Sequence, residues 1–165
     1  MKVLFPFLFV SMTQISLGQS FPDRCVGIWE GTMHVYQNSK LVDSPKVTFK
    51  VAPIIKDSIW RWNTHYSSEK YGEISKDYKL VAKNAATGTY LLDEGQDLHL
   101  DAQVLNNKMY SSFEVAQSAL HSTYILEDDQ LYFEVITALK DGDTTAVKSY
   151  PVVNLQYVTL SRKLE

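Results

Sequence analysis

From Ile28 to the end of the chain, apolar and polar residues alternate with a period of two, and turn residues interrupt the pattern at short intervals. In the run from Lys46 to Val51, for example, Val47, Phe49 and Val51 fall on one face. Successive side chains of a strand point to opposite faces, so the pattern predicts strands with one buried face. Turn signals recur about every 8 to 12 residues, which is typical of a β-sandwich or barrel.

The connections between the predicted strands are all short. A Greek-key sandwich needs longer crossings, and closure of the sheet removes exposed edges, so the sequence predicts an all-β, antiparallel up-and-down meander of about ten strands that closes into a barrel. The first strand is expected over Ile28–Gln37, and Asn106–Asn107 suits a two-residue hairpin with positive φ. Only Ser67–Asp77 leaves room for a short helix.

The first 18 residues differ from the rest. Lys2 precedes an apolar run, Val3–Val10, and the stretch ends in Ser16-Leu17-Gly18, which is the layout of a secretory signal peptide cleaved before Gln19. The run is shorter than the ~20 apolar residues of a membrane-spanning helix. Gln19 stands where a lipoprotein carries its Cys. We therefore expect a secreted or periplasmic protein without a lipid anchor or membrane span, with residues 19–165 forming one domain.

Composition and motifs argue against several functions. The formal net charge is −3 and the basic residues are dispersed, which disfavours nucleic acid as a partner. The histidines form no metal-binding motif, and no nucleophile elbow or phosphate loop occurs. The acidic turns Asp93–Asp97 and Asp141–Asp143 offer carboxylates to calcium, but neither follows the twelve-residue pattern of an EF-hand, and carboxylates are common in tight turns. We expect no metal, no cofactor and no catalysis.

Residues in the first and last predicted strands resemble a known family of barrels. Gly27-Ile28-Trp29 at the start of the first strand, with Arg162 near the end of the last, resembles the lipocalin-like, or calycin, barrels. The resemblance implies that Arg162 packs across Trp29 and closes the bottom of the barrel, where a guanidinium over an indole is a favourable cation–π pair. It also implies a divergent bacterial secreted member of that group.

The predicted inward face is rich in aromatic residues, interspersed with small ones. Such a face either fills a barrel or lines a cavity, and both possibilities stay open. We expect a non-enzymatic protein that binds a small hydrophobic molecule inside the barrel. The alternatives are a filled barrel that acts as an interaction or structural module of the cell envelope, with its protein partner unknown, and a small calycin-like enzyme. The predicted ligand-binding residues are Trp60, Trp62, Tyr66, Tyr78, Phe113, Tyr124, Phe133 and Tyr157.

Overall fold

The computed structural model describes residues 19–140 and 147–163. The predicted signal peptide, residues 1–18, and the second acidic turn, Asp141–Asp143, lie outside the described residues. Within those ranges, no helix has the length and apolar character needed to cross a membrane.

Most of the described residues lie in strands. They comprise the short helix α1 (Phe21–Arg24), one 3₁₀ turn (Ala85–Thr87) and the strands β1 (Gly27–Thr32), β2 (His34–Gln37), β3 (Lys40–Asp43), β4 (Lys46–Ile55), β5 (Ile59–Ser68), β6 (Gly72–Asn84), β7 (Thr89–Asp93), β8 (His99–Leu105), β9 (Lys108–Val115), β10 (Ser118–Glu127), β11 (Gln130–Leu139) and β12 (Val152–Arg162).

The strands form one closed antiparallel meander. From β4 to β12 each strand pairs with the next along the chain, and β1 pairs with both β4 and β12, so ten strands close the barrel. The predicted fold class is confirmed. Asn106 has φ +60° at the β8–β9 hairpin, as predicted for that turn.

The first predicted strand is divided in the structure. The chain breaks at the buried Met33, whose N–H donates to the Pro45 carbonyl at 2.9 Å, and β2 then pairs with β12 while β1 pairs with β4. A tight turn at Asn38–Ser39, with φ +47° and +65°, leads into β3. The segment between Gln37 and β4 therefore contains a further short strand, and the β2–β3 hairpin extends the barrel wall at one end.

No helix forms in Ser67–Asp77. The Ser68 hydroxyl accepts the N–H groups of Lys70 and Tyr71, and Gly72 adopts φ +76°, so a tight turn leads directly into β6. The alternation of Ile74, Lys76 and Tyr78 then continues as a strand.

The Trp29 end of the barrel is closed by the predicted pair. The Arg162 guanidinium carbon lies 4.1 Å from the centroid of the Trp29 ring, and Arg162 also donates to the carbonyls of Arg24 and Val26. The Trp29 indole N–H donates to the Cys25 carbonyl at 2.8 Å. These hydrogen bonds to Arg24 and Cys25 hold helix α1 across the closed end. The sequence did not predict this helix.

Gly27 is required by this arrangement. Its φ is +142°, and a Cβ atom there would lie 2.6 Å from the Arg162 Nη1 atom. A side chain would be strained in backbone conformation and would displace the guanidinium from the indole. The glycine of the Gly-x-Trp sequence therefore makes room for the arginine.

Gly31 faces a second close approach, between β1 and β12. A Cβ atom there would lie 2.4 Å from the Thr159 carbonyl oxygen and 3.1 Å from Val158 Cγ2. We expect Gly31→Ala to lower the free energy of unfolding by about 1–3 kcal/mol, as overpacking does, measured by urea denaturation. The exposed neighbour Thr32 provides the control, since Thr32→Ala should change stability by less than about 0.5 kcal/mol. Equal stability of the two variants would contradict the close approach.

Candidate functional site

The half of the barrel nearest Trp29 is filled with side chains. Trp60 lies near the start of β5, Leu80 late in β6 and Leu131 near the start of β11, and all three are fully buried. Trp60 packs against Tyr90, with ring centroids 6.1 Å apart, and its indole N–H donates to Asp23 on α1 at 2.8 Å. This closed half has the character of a hydrophobic core.

The opposite half contains open space. An inner cavity of about 140 Å³ lies between the walls, and a mouth of about 340 Å³ lies at the end where β2–β3 and the β5–β6 turn meet. Tyr66, Lys76 and Gln156 line both spaces. The inner cavity is lined by Thr64, Tyr66, Lys76, Tyr78, Leu92, Glu94, Leu100, Phe113, Leu120, Ser122, Tyr124, Phe133, Val135 and Gln156.

Five of the predicted ligand-binding residues line this inner cavity. They are Tyr66, Tyr78, Phe113, Tyr124 and Phe133. Trp60 and Trp62 face the interior as predicted, but they line neither the inner cavity nor the mouth. Both indoles are part of the core beneath the cavity.

The predicted inward orientation of Tyr157 is wrong. Val158 and Leu160 are buried in the interior, so Tyr157, at an odd position of the same strand, points outward and is 36% exposed. On the outer wall it stacks with Tyr36, at 6.2 Å and nearly parallel, and contacts His34. Arg162 and Tyr157 are five residues apart and cannot share one face of a regular strand.

Tyr124 is the centre of an aromatic cluster at the floor of the inner cavity. Its ring stacks on Phe133 at 4.3 Å and on Phe49 at 5.7 Å, and it meets Trp62 edge-on at 5.4 Å. Trp62 Nε1 is buried and makes no hydrogen bond within the described residues. The floor is thus a surface of packed aromatic rings that includes one buried polar atom without a hydrogen bond in the described part of the chain.

The phenols of the cavity are held neutral. Burial raises the pKa of Tyr66 to about 12, against a smaller opposing effect of the Thr64 hydroxyl. Burial also raises the pKa of Tyr124, and the neighbouring Tyr66 raises it further. At neutral pH these phenols are therefore uncharged groups that can donate a hydrogen bond to a ligand.

Comparison with solved structures identifies the fold. An S-type phycobiliprotein lyase from Guillardia theta superposes with a TM-score of 0.66 over 89% of this chain and 94% of the lyase, at 13% identity. A DUF3598-family protein of unknown function from Nostoc punctiforme gives 0.61 at 15% identity. The fold is a lipocalin-like barrel.

The extent of the matches differs between the similar structures. The match to the Nostoc protein covers 86% of this chain but 49% of that protein, so this chain spans about half its length. Rv2717c from M. tuberculosis gives a TM-score of 0.56 at 13% identity, over 84% of this chain and 92% of that one. No protein-family model matches the sequence, and no curated protein matches it significantly.

The outer wall of the lipocalin-like barrel carries a Ser–His–Glu cluster that the sequence analysis did not identify. The two ring nitrogens of His65 lie 2.9 Å from the Ser75 hydroxyl and 2.7 Å from a Glu73 carboxylate oxygen. The Ser67 hydroxyl also donates to Glu73, and this bond and then His65 lower the pKa of Glu73. The cluster is an exposed set of cross-strand pairs on β5 and β6, outside the barrel interior.

The described acidic turn has the predicted turn chemistry. Asp93 Oδ1 accepts the Gly95 N–H at 2.9 Å, and Gln96 and Asp97 have positive φ. Over residues 19–140 and 147–163, no group of three or more His, Cys, Asp or Glu side chains has the arrangement of a metal site.

Proposed function

We propose that the protein binds a small hydrophobic molecule in the open half of the barrel and carries out no chemistry on it. The observation that supports this most directly is the inner cavity, which opens through the mouth and has a lining mainly of aromatic and aliphatic side chains. Pockets of this composition, with a few convergent polar groups, are typical of small-molecule sites.

The expected affinity follows from the apolar area that such a ligand buries. Removing on the order of 300 Å² of ligand surface from water contributes roughly 7 kcal/mol at about 25 cal/mol per Å². Ordering of the ligand and side chains offsets part of this, so we expect dissociation constants in the micromolar range.

The first experiment is native mass spectrometry of the protein purified from the organism that makes it. A retained small molecule supports the proposal and identifies its class, and the same spectrum tests the secreted or periplasmic location, since removal of residues 1–18 changes the chain mass. Protein that stays bare after incubation with a lipid extract would favour the filled-barrel alternative. A molecule that is bound and then recovered altered would favour the calycin-like enzyme.

A cavity-filling variant locates the site. N-phenyl-1-naphthylamine, a neutral fluorescent probe, should bind the wild type with micromolar affinity. Ser122→Trp places a large ring into the inner cavity and should weaken binding at least about tenfold, a loss of about 1.4 kcal/mol. His121→Trp adds the same ring on the exposed outer wall, where His121 contacts Ser112, and should bind the probe as the wild type does. Equal binding by both variants would place the probe elsewhere.

A further inference from the structure

The inner cavity and the mouth meet at three polar side chains. Tyr66 from β5, Lys76 from β6 and Gln156 from β12 line both spaces, whereas most of their neighbours toward the interior are apolar. We call these three residues the junction. A molecule that extends from the interior to the mouth must pass them.

Lys76 lies on the inward face of β6, near the open end of the barrel, and its side chain is exposed there. It shares its face of the strand with Ile74, which lines the mouth, and with Tyr78, which lines the inner cavity. Its neighbours Ser75 and Asp77 point outward, where Ser75 contacts His65 and Asp77 accepts from Asn63. The lysine therefore interrupts an otherwise hydrophobic inward face.

The carboxylates of these two spaces already have protein donors. Asp43, in the mouth, accepts the Ser68 hydroxyl and the Ser44 N–H, each at 2.8 Å. Glu94, in the inner cavity, lies beside the Tyr78 phenol, and after burial its charge and hydrogen bonding raise the pKa of that phenol. Neither carboxylate is within salt-bridge distance of Lys76.

Lys76 has no anionic partner among the described residues. Lys83, Lys140 and Lys163 each form an ion pair at 3.0 Å or less, while the Lys76 ammonium lies over the Tyr78 ring, 5.8 Å from its centroid. A cation–π contact leaves the three N–H donors of the ammonium available. The Lys76 ammonium therefore has donors available for a ligand group at the junction.

We propose that the junction binds the anionic group of an amphipathic ligand, a carboxylic acid with a short apolar part that enters the inner cavity. This rests on the proposed function. The Lys76 ammonium binds the carboxylate, and the Tyr66 hydroxyl and the second N–H of the Gln156 amide donate to it. Gln156 uses its other N–H on Asn154.

The size of the inner cavity limits the apolar part. Its volume of about 140 Å³ is close to that of an engineered apolar cavity, about 150 Å³, that binds benzene. This space suits a short alkyl chain or one aromatic ring, and any longer ligand continues into the mouth. Octanoate is a suitable probe, with octan-1-ol as its uncharged counterpart.

The test is displacement of N-phenyl-1-naphthylamine from the full chain by octanoate and by octan-1-ol at pH 7.5. We expect the wild type to prefer octanoate about tenfold, since a hydrogen bond to a charged group contributes a factor of this order or more. Lys76→Met keeps the apolar stem and removes the charge, so it should abolish this preference while octan-1-ol binding stays within about twofold. Lys76→Arg should retain the preference.

Lys79→Met is the matched control. Lys79 lies on the same strand, is exposed and points outward, so its removal changes the net charge equally and should leave the octanoate preference intact. If the probe and octan-1-ol bind but octanoate is not preferred, or if Lys76→Met retains the preference, the junction proposal is wrong and the hydrophobic site stands. If none of the three molecules binds, both proposals fail.

Discussion

Replacement of Trp29 by alanine is expected to lower the free energy of unfolding by about 3–5 kcal/mol, the range for removing a large aromatic side chain from a core. The indole is fully buried, it lies beneath the Arg162 guanidinium, and its N–H donates to Cys25. Removing it leaves a cavity at the closed end and leaves the Cys25 carbonyl without its donor. Urea denaturation monitored by far-UV circular dichroism measures the loss.

A second variant, at Arg162, distinguishes loss of the Trp29–Arg162 contact from loss of core packing alone. A double-mutant cycle of Trp29→Ala and Arg162→Ala should show a coupling energy of at least about 0.5 kcal/mol, because the two side chains are in direct contact. Arg61→Ala, which removes an exposed arginine on the outer wall of β5, should change stability by less than about 0.5 kcal/mol. A cost below about 1 kcal/mol for Trp29→Ala would show that the pair does not close the barrel.

The barrel itself could be predicted from the sequence because its strands alternate cleanly. In β4 the inward residues Val47, Phe49 and Val51 are all buried, and the turns between strands contain residues that tolerate positive φ, such as Asn106 and Asp57. Local pattern and overall fold agree in these segments. The Trp29–Arg162 contact, which joins β1 to β12, could be predicted only through the family resemblance.

The predicted secondary structure was wrong where the alternation of apolar and polar residues is interrupted. The break at Met33 depends on a hydrogen bond to Pro45 and on pairing with β12, which are contacts distant in sequence. Helix α1 has four residues, too few to show a helical period. Its position depends on tertiary bonds, such as that from Trp60 to Asp23.

The candidate site was only partly predictable. All the inward aromatic residues were expected to contact the ligand. In the structure, Trp60 lies deeper along the barrel, in the core, whereas Tyr66 lies at the junction. The alternation does not distinguish these depths. Lys76 did leave a signal in the sequence, since it stands between Ile74 and Tyr78 on the inward face of one strand.

Replacement of Trp60 by alanine should be about as destabilising as that of Trp29, about 3–5 kcal/mol. Trp60 is fully buried at the start of β5 and packs against Tyr90. Its N–H also donates to Asp23, whose other carboxylate oxygen accepts the Ser20 hydroxyl at the start of α1. The variant therefore loses core packing and the contact that holds the helix, as urea denaturation should show.

Trp60→Phe tests whether Trp60 acts only in the core or also contacts the ligand. It keeps most of the apolar volume and removes the hydrogen bond to Asp23, so it should cost less stability than alanine and remain folded. Because Trp60 lies beneath the inner cavity, the folded Trp60→Phe variant should bind N-phenyl-1-naphthylamine within about twofold of the wild type. Phe113→Ala, which alters the cavity wall itself, should weaken that binding. A loss of binding in Trp60→Phe, with Phe113→Ala unaffected, would mean that ligand reaches the closed half and that the filled core opens on binding.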